Sequence, residues 1–249
     1  MKYGWLPILA LTAVGTALSA CSSAPGKETP HRTIITLVGD STQTTNQGYG
    51  LGFCANLTTE IECVNRAKSG ASTKTYLREG YWNKALSPKP DWMLIQFGHN
   101  DVQSAAHTNR ETDVKTEYPA NLRNYIASAR EQGIQPILVT PISRRYFGVD
   151  GKIHSDLVEH SDIVRAIAKE QNVPLIDLQQ LSIDKLEQIG EAEGNKLGLT
   201  KVVDGQTVPD KTHFNTAGSL VFGRITVEAM ARAVPELARY VKPQAAQQP

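Results

Sequence analysis

Short runs that are apolar or β-branched at successive positions, rather than at alternate ones, most restrict what this chain can fold into. Five segments have strand character: Thr33 to Val38, Glu62 to Ala67, Trp92 to Phe97, Gln135 to Thr140 and Val173 to Leu178. Three of them carry the unbroken apolar pattern that a strand shows when both of its faces are covered, as in a parallel sheet. Helical patterns lie between them, at Tyr118 to Gln132 before Gly133 and at Asp156 to Gln171 before Asn172 and Pro174. A third runs from Thr216 to about Val234, with Asn215 placed to cap it and Pro235 beyond its end. Alternating strands and helices imply an α/β domain, a five-stranded parallel sheet with helices on both faces, and ligands at the carboxyl ends of its strands.

The chain has 249 residues, of which 40% are hydrophobic, enough for one well-buried domain and short for two. Lys2 precedes an uncharged, largely apolar stretch from Tyr3 to Ala20, ending in Leu18-Ser19-Ala20-Cys21. Small residues before a cysteine resemble the lipobox of bacterial lipoproteins, so residues 1–20 read as a signal peptide and Cys21 as the lipidated terminus. An uncleaved membrane anchor is the alternative, because the run borders on spanning length. Either way the domain is exported, to a bacterial cell envelope and lipid-anchored in the first case. Residues 21–32, rich in Ser, Pro and Gly, form a tether, 33–243 the body, and 244–249 a polar tail.

Without Lys2, the only charged residue among the first twenty, 25 basic and 25 acidic residues remain, which gives no electrostatic footprint for nucleic acid. Cys54 and Cys63 are the only other cysteines. Nine residues apart in an oxidising compartment, they suit one local disulfide, with two buried free thiols as the alternative.

Ser41 follows the first strand directly, and a serine hydroxyl is a poor nucleophile until a base takes its proton. Of the six histidines, His31 lies in the tether and His107, His154 and His160 have no acid three residues before them, whereas His213 has Asp210 there. Asp210 is therefore placed to accept a hydrogen bond from the ring and hold its tautomer. Acyl transfer also needs donors aimed at the oxyanion. Asn100, in Gly98-His99-Asn100-Asp101 after the third strand, can offer its side-chain amide, Gly70 a backbone N–H, and Ser41 its own.

Together these segments resemble the four blocks of the SGNH or GDSL hydrolase superfamily. More narrowly, Gly39 to Gln43, Ser69 to Tyr81, Phe97 to Asp101 and Asp210 to Phe214 are similar to rhamnogalacturonan acetylesterases and their bacterial relatives, over residues 33 to about 232. The resemblance implies a flavodoxin-like three-layer α/β/α sandwich. It also implies Ser41, Asp210 and His213 as the triad, Ser41, Gly70 and Asn100 as oxyanion donors, and removal of O-acetyl groups from plant cell-wall polysaccharide without metal or organic cofactor. One departure is visible: Ala71 stands where many relatives carry an arginine, which leaves the backbone donor at Gly70 in place but lends no support to a substrate contact there.

Other substrates for the same triad are acetylated xylan, a lysophospholipid or an acyl thioester, since substrate choice lives in loops. A reading of another class is a catalytically silent, glycan-binding surface lipoprotein, but Ser41, His213 and Asn100 are all present. His99 with Asp101, and His154, Asp156 and His160, match no recognised metal-ligand spacing and are expected in exposed loops, although His99 can still line the acyl pocket. Arg144 and Arg145 follow the fourth strand and are expected to meet the carboxylates of a galacturonate-rich backbone.

Overall fold

The structure is a computed structural model and describes residues 1–4, 32–105 and 107–244. The apolar leader, Cys21, most of the tether and the tail after Gln244 lie outside those residues. Among the described residues no helix is long and apolar enough to cross a membrane.

Five parallel strands form the central sheet: β1 (Thr33–Gly39), β2 (Ile61–Asn65), β3 (Trp92–Gln96), β4 (Gln135–Val139) and β5 (Leu175–Ile176), in the order β2-β1-β3-β4-β5. Their unbroken apolar pattern has a direct cause, because alternate residues enter different cores. Ile35, Leu37, Leu94, Ile137 and Val139 pack on one face with Tyr49, Phe53, Phe222 and Met230. Val38, Met93, Ile95 and Leu138 pack on the other with Tyr76, Trp82, Tyr125 and Ile167. The first core is closed by helices α1 (Gly50–Ala55) and α7 (Thr216–Ala233), the second by α2 (Thr73–Arg78), α3 (Tyr81–Ala85), α4 (Glu117–Glu131) and α5 (Val158–Glu170). This is the three-layer α/β/α sandwich.

A disulfide with a Cα separation of 5.6 Å joins Cys54 of α1 to Cys63 of β2, the edge strand. β5 is shorter than the run Val173 to Leu178 suggests. Pro174 has no N–H to give the ladder, and Asp177 caps the next helix by accepting from the Gln180 N–H. That helix, α6 (Leu178–Lys196), is interrupted at Gly190. It is followed by an antiparallel hairpin, β6 (Gly198–Val203) and β7 (Gln206–Phe214), outside the main sheet. Asp204 and Gly205, with φ of 50° and 77°, make its two-residue turn. Hydropathy patterning marks neither α6 nor the hairpin, yet the hairpin carries Asp210 and His213.

Candidate active site

Ser41 opens a single 3-10 turn where β1 ends. Asp40 caps that turn, its Oδ1 accepting from the Thr42 N–H at 2.9 Å and the Thr42 hydroxyl at 2.7 Å. The turn is tight enough that a Cβ on Gly39 would lie 2.4 Å from the Gln96 carbonyl oxygen, so only glycine fits before this aspartate. Ser41 is left 6% exposed, at the floor of a cavity of about 410 Å³.

β7 brings His213 to it. His213 Nε2 lies 2.9 Å from Ser41 Oγ, and His213 Nδ1 lies 2.8 Å from Asp210 Oδ2. A carboxylate at Nδ1 holds the proton there and leaves Nε2 to accept from the serine hydroxyl. Burial pushes the Asp210 carboxyl up, but hydrogen bonds from the His213 ring and the Thr212 and His213 N–H groups outweigh it and hold the group below its ordinary value.

Arg145 holds Asp210 and His213 from behind. It is 0% exposed, and its Nη2 donates to the Asp210 carbonyl and, at 2.8 Å, to the His213 carbonyl. The guanidinium lies 4.9 Å over the Phe214 ring, and a Cβ on Gly198 would meet its Nη2 at 2.2 Å. Burial pulls its pKa down to about 10, which keeps it charged at neutral pH. The expected substrate contact at Arg145 is therefore corrected: the side chain supports Asp210 and His213 and is not among the residues that line the cavity. Arg144 does line the cavity, but it pairs with Asp156 and donates to the His99 carbonyl at 3.2 Å.

The oxyanion candidates come from two loops tied to the nucleophile's strand. The Lys68 N–H donates to the Gly39 carbonyl at 2.8 Å, and the Ala71 N–H donates to the Lys68 carbonyl at 3.1 Å. Between them Gly70 takes φ of +79°, a conformation that favours glycine. Asn100 Nδ2 donates to the Ala71 carbonyl at 2.9 Å, which spends one of its two N–H groups and leaves the other for a ligand. Asn100 lines the large cavity, and Gly70 lines a smaller one of about 190 Å³ that shares His107 and Arg110 with it.

His99 is 7% exposed rather than out in a loop, with Nδ1 3.4 Å from Asp40 Oδ2, and it forms part of the cavity wall. Burial pushes Asp40 up, but attraction to the His99 ring and the Thr42 bonds bring it below the ordinary carboxylate value. His160 is also buried, on α5, edge-on to Tyr118 at 4.8 Å, and burial lowers its pKa to about 4. Among the described residues no three His, Cys, Asp or Glu side chains are grouped to hold a metal ion.

Asp101 is the one buried carboxyl here whose pKa rises, to about 7. Burial drives it up against hydrogen bonds from the Thr73 N–H at 3.0 Å and the Thr73 and Thr112 hydroxyls at 2.5 and 3.1 Å. A folded-state value above the ordinary 3.8 means that the native protein binds the extra proton. The stability this adds is complete below about pH 4 and is lost as pH rises through 7. Asn at this position does not titrate. The Tm of wild type relative to that of Asp101→Asn should therefore fall by several degrees from pH 5 to pH 8 in a thermal shift series; a relative rise would contradict the raised pKa.

Sequence comparison agrees with the geometry. Residues 35–220 match the GDSL-like Lipase/Acylhydrolase family. The chain is 33% identical over 211 residues to the probable rhamnogalacturonan acetylesterase YesY of Bacillus subtilis, covering 82% of this chain and 93% of that protein. It is 31% identical over 212 residues to the rhamnogalacturonan acetylesterase RhgT of the same organism, covering 79% and 88%. In fold it is similar to the crystal structure of B. subtilis protein YxiM, with a TM-score of 0.68 and 24% identity over 81% of this chain and 57% of that one. With Ser41, His213 and Asp210 hydrogen-bonded in series at the carboxyl edge of the sheet, the family match over most of the body and the two acetylesterase relatives place the chain in the GDSL-like lipase/acylhydrolase family as a carboxylic ester hydrolase.

Proposed function

We propose that the protein removes O-acetyl groups from an acidic plant cell-wall polysaccharide, with rhamnogalacturonan first, through Ser41, His213 and Asp210. The observation that carries the mechanism is the relay from Ser41 Oγ through His213 to Asp210, at 2.9 and 2.8 Å. The names of the YesY and RhgT relatives support the substrate.

Ser41 Oγ attacks the acetyl carbonyl as its proton passes to His213 Nε2. The oxyanion is held by the Ser41 and Gly70 N–H groups and the Asn100 amide. Collapse expels the sugar hydroxyl, which takes the proton from His213. Water, deprotonated by the same ring, then releases acetate and restores the serine. No metal or organic cofactor enters any step.

The test is acetate release from a panel of acetylated rhamnogalacturonan, acetylated xylan and an O-acetyl sialic acid, at matched ester concentration. Rhamnogalacturonan should give the highest kcat/KM; a preference for xylan would replace the proposed polymer and keep the triad.

The leader supports a location. Export with lipid attachment at Cys21 fits the small residues before it, and the chain is 25% identical over 179 residues to the uncharacterized lipoprotein YqeF of B. subtilis. Mass spectrometry of a membrane fraction should find residues 1–20 removed and Cys21 carrying lipid; a soluble chain with an unmodified Cys21 excludes it.

A further inference from the structure

We infer that Arg110 forms a carboxylate-binding subsite beside the oxyanion loop, one that receives the carboxylate of a uronate in the glycan. This deepens the proposed function and rests on it.

The cations along the two joined cavities are not equivalent. Arg144 is neutralised by Asp156 on the cavity wall. Lys68 sits over the Tyr81 ring, 5.4 Å from its centroid. Arg110 lines both cavities and, among the described residues, has no carboxylate within ion-pair distance. Glu79, the acid on the smaller cavity, is taken by Arg78 at 3.1 Å.

Position singles out Arg110 further. A Cβ on Gly70 would lie 3.2 Å from Arg110 Nη1, so the guanidinium stands against the loop that offers an oxyanion N–H. Arg110 and Ser41 line the same cavity, so a glycan with an acetyl group at Ser41 runs past this fork. The loop is also built to hold it. The Thr112 N–H donates to the Asp101 carbonyl at 3.0 Å, Glu111 accepts from the Ser104 N–H at 2.8 Å, and Arg78 Nη1 donates to the Asn109 carbonyl at 3.3 Å.

An unpaired, half-buried guanidinium in a polar cleft is the chemistry that takes a carboxylate through two parallel N–H bonds. Hydroxyls of a neutral glycan accept only single, uncharged hydrogen bonds and do not match both the fork and its charge. A uronate does.

The experiment compares wild type, Arg110→Met and Arg110→Lys on acetylated rhamnogalacturonan oligosaccharides and on the same oligosaccharides with their carboxyls methyl-esterified. The readout is the ratio of kcat/KM on acid to that on ester fragments. Arg110→Met should lower this ratio roughly ten- to hundredfold, the range of a charge-assisted hydrogen bond. The fall should come mainly through KM and shrink at high salt, with partial recovery in Arg110→Lys. An unchanged ratio in an enzyme that deacetylates the acid fragments overturns the subsite and leaves the proposed substrate standing. Equal loss on both fragments overturns it too, assigning Arg110 to the reacting carbonyl or to the loop. A wild type that turns over neutral acetylated xylan but neither rhamnogalacturonan form removes the substrate reading and the subsite together.

Discussion

Replacing Ser41 with alanine should reduce turnover of 4-nitrophenyl acetate by roughly 10⁵- to 10⁶-fold while leaving the unfolding temperature close to that of wild type. The side chain is buried and, among the described residues, its hydroxyl bonds only to His213 Nε2, so the fold loses one hydrogen bond, worth about 1 kcal/mol. The bonds that shape the nucleophile turn come from elsewhere. They are the Asp40 cap and the Ser41 carbonyl, which accepts from the Thr44 N–H at 3.2 Å and the Thr44 hydroxyl at 2.7 Å, and alanine keeps both. Purified Ser41→Ala turning over within tenfold of wild type would remove the nucleophile assignment.

Asn100→Ala has the next largest expected effect, a fall in kcat of roughly 10²- to 10³-fold, equivalent to about 2.7 to 4 kcal/mol of transition-state stabilisation. Its amide has two N–H groups, one held by the Ala71 carbonyl and one free for the oxyanion. The substitution therefore removes a donor and loosens the Gly70 loop, and both act on the charge that develops in the transition state. KM should move much less than kcat. A variant with kcat retained and KM raised would place Asn100 in ground-state binding instead.

How much of this was legible in the sequence follows from which residues are buried. β1, β3 and β4 were readable because their successive residues feed two cores. The hairpin was not, since Lys201, Val202 and Val203 of β6 face solvent and leave no apolar period to detect. Its Asp204-Gly205 turn was the one available signal. Ser41, Asn100 and His213 stand in short blocks whose local chemistry is distinctive, and the fold brings those blocks to one cavity. Arg145 shows the opposite case. Its distance from β4 in sequence suggested the cavity, but the direction of the side chain depends on the hairpin packed behind it. Arg110 lies in a loop with no periodicity, and only the approach of Gly70 in space gives it meaning.

The proposed acid and base, Asp210 and His213, share one strand, three residues apart, and a single buried guanidinium spans both of their carbonyls. Asp210 and His213 thus form a prefabricated cassette that can shift against Ser41 only as a unit. Val102, Gln103, Ser104, His107 and Arg110, which also line the cavity, are on a different part of the chain and, among the described residues, make none of the bonds that hold the cassette. Substrate preference can therefore drift at those positions through substitution or insertion without retuning proton transfer, which makes them the positions to randomise when seeking activity on a different acetylated glycan.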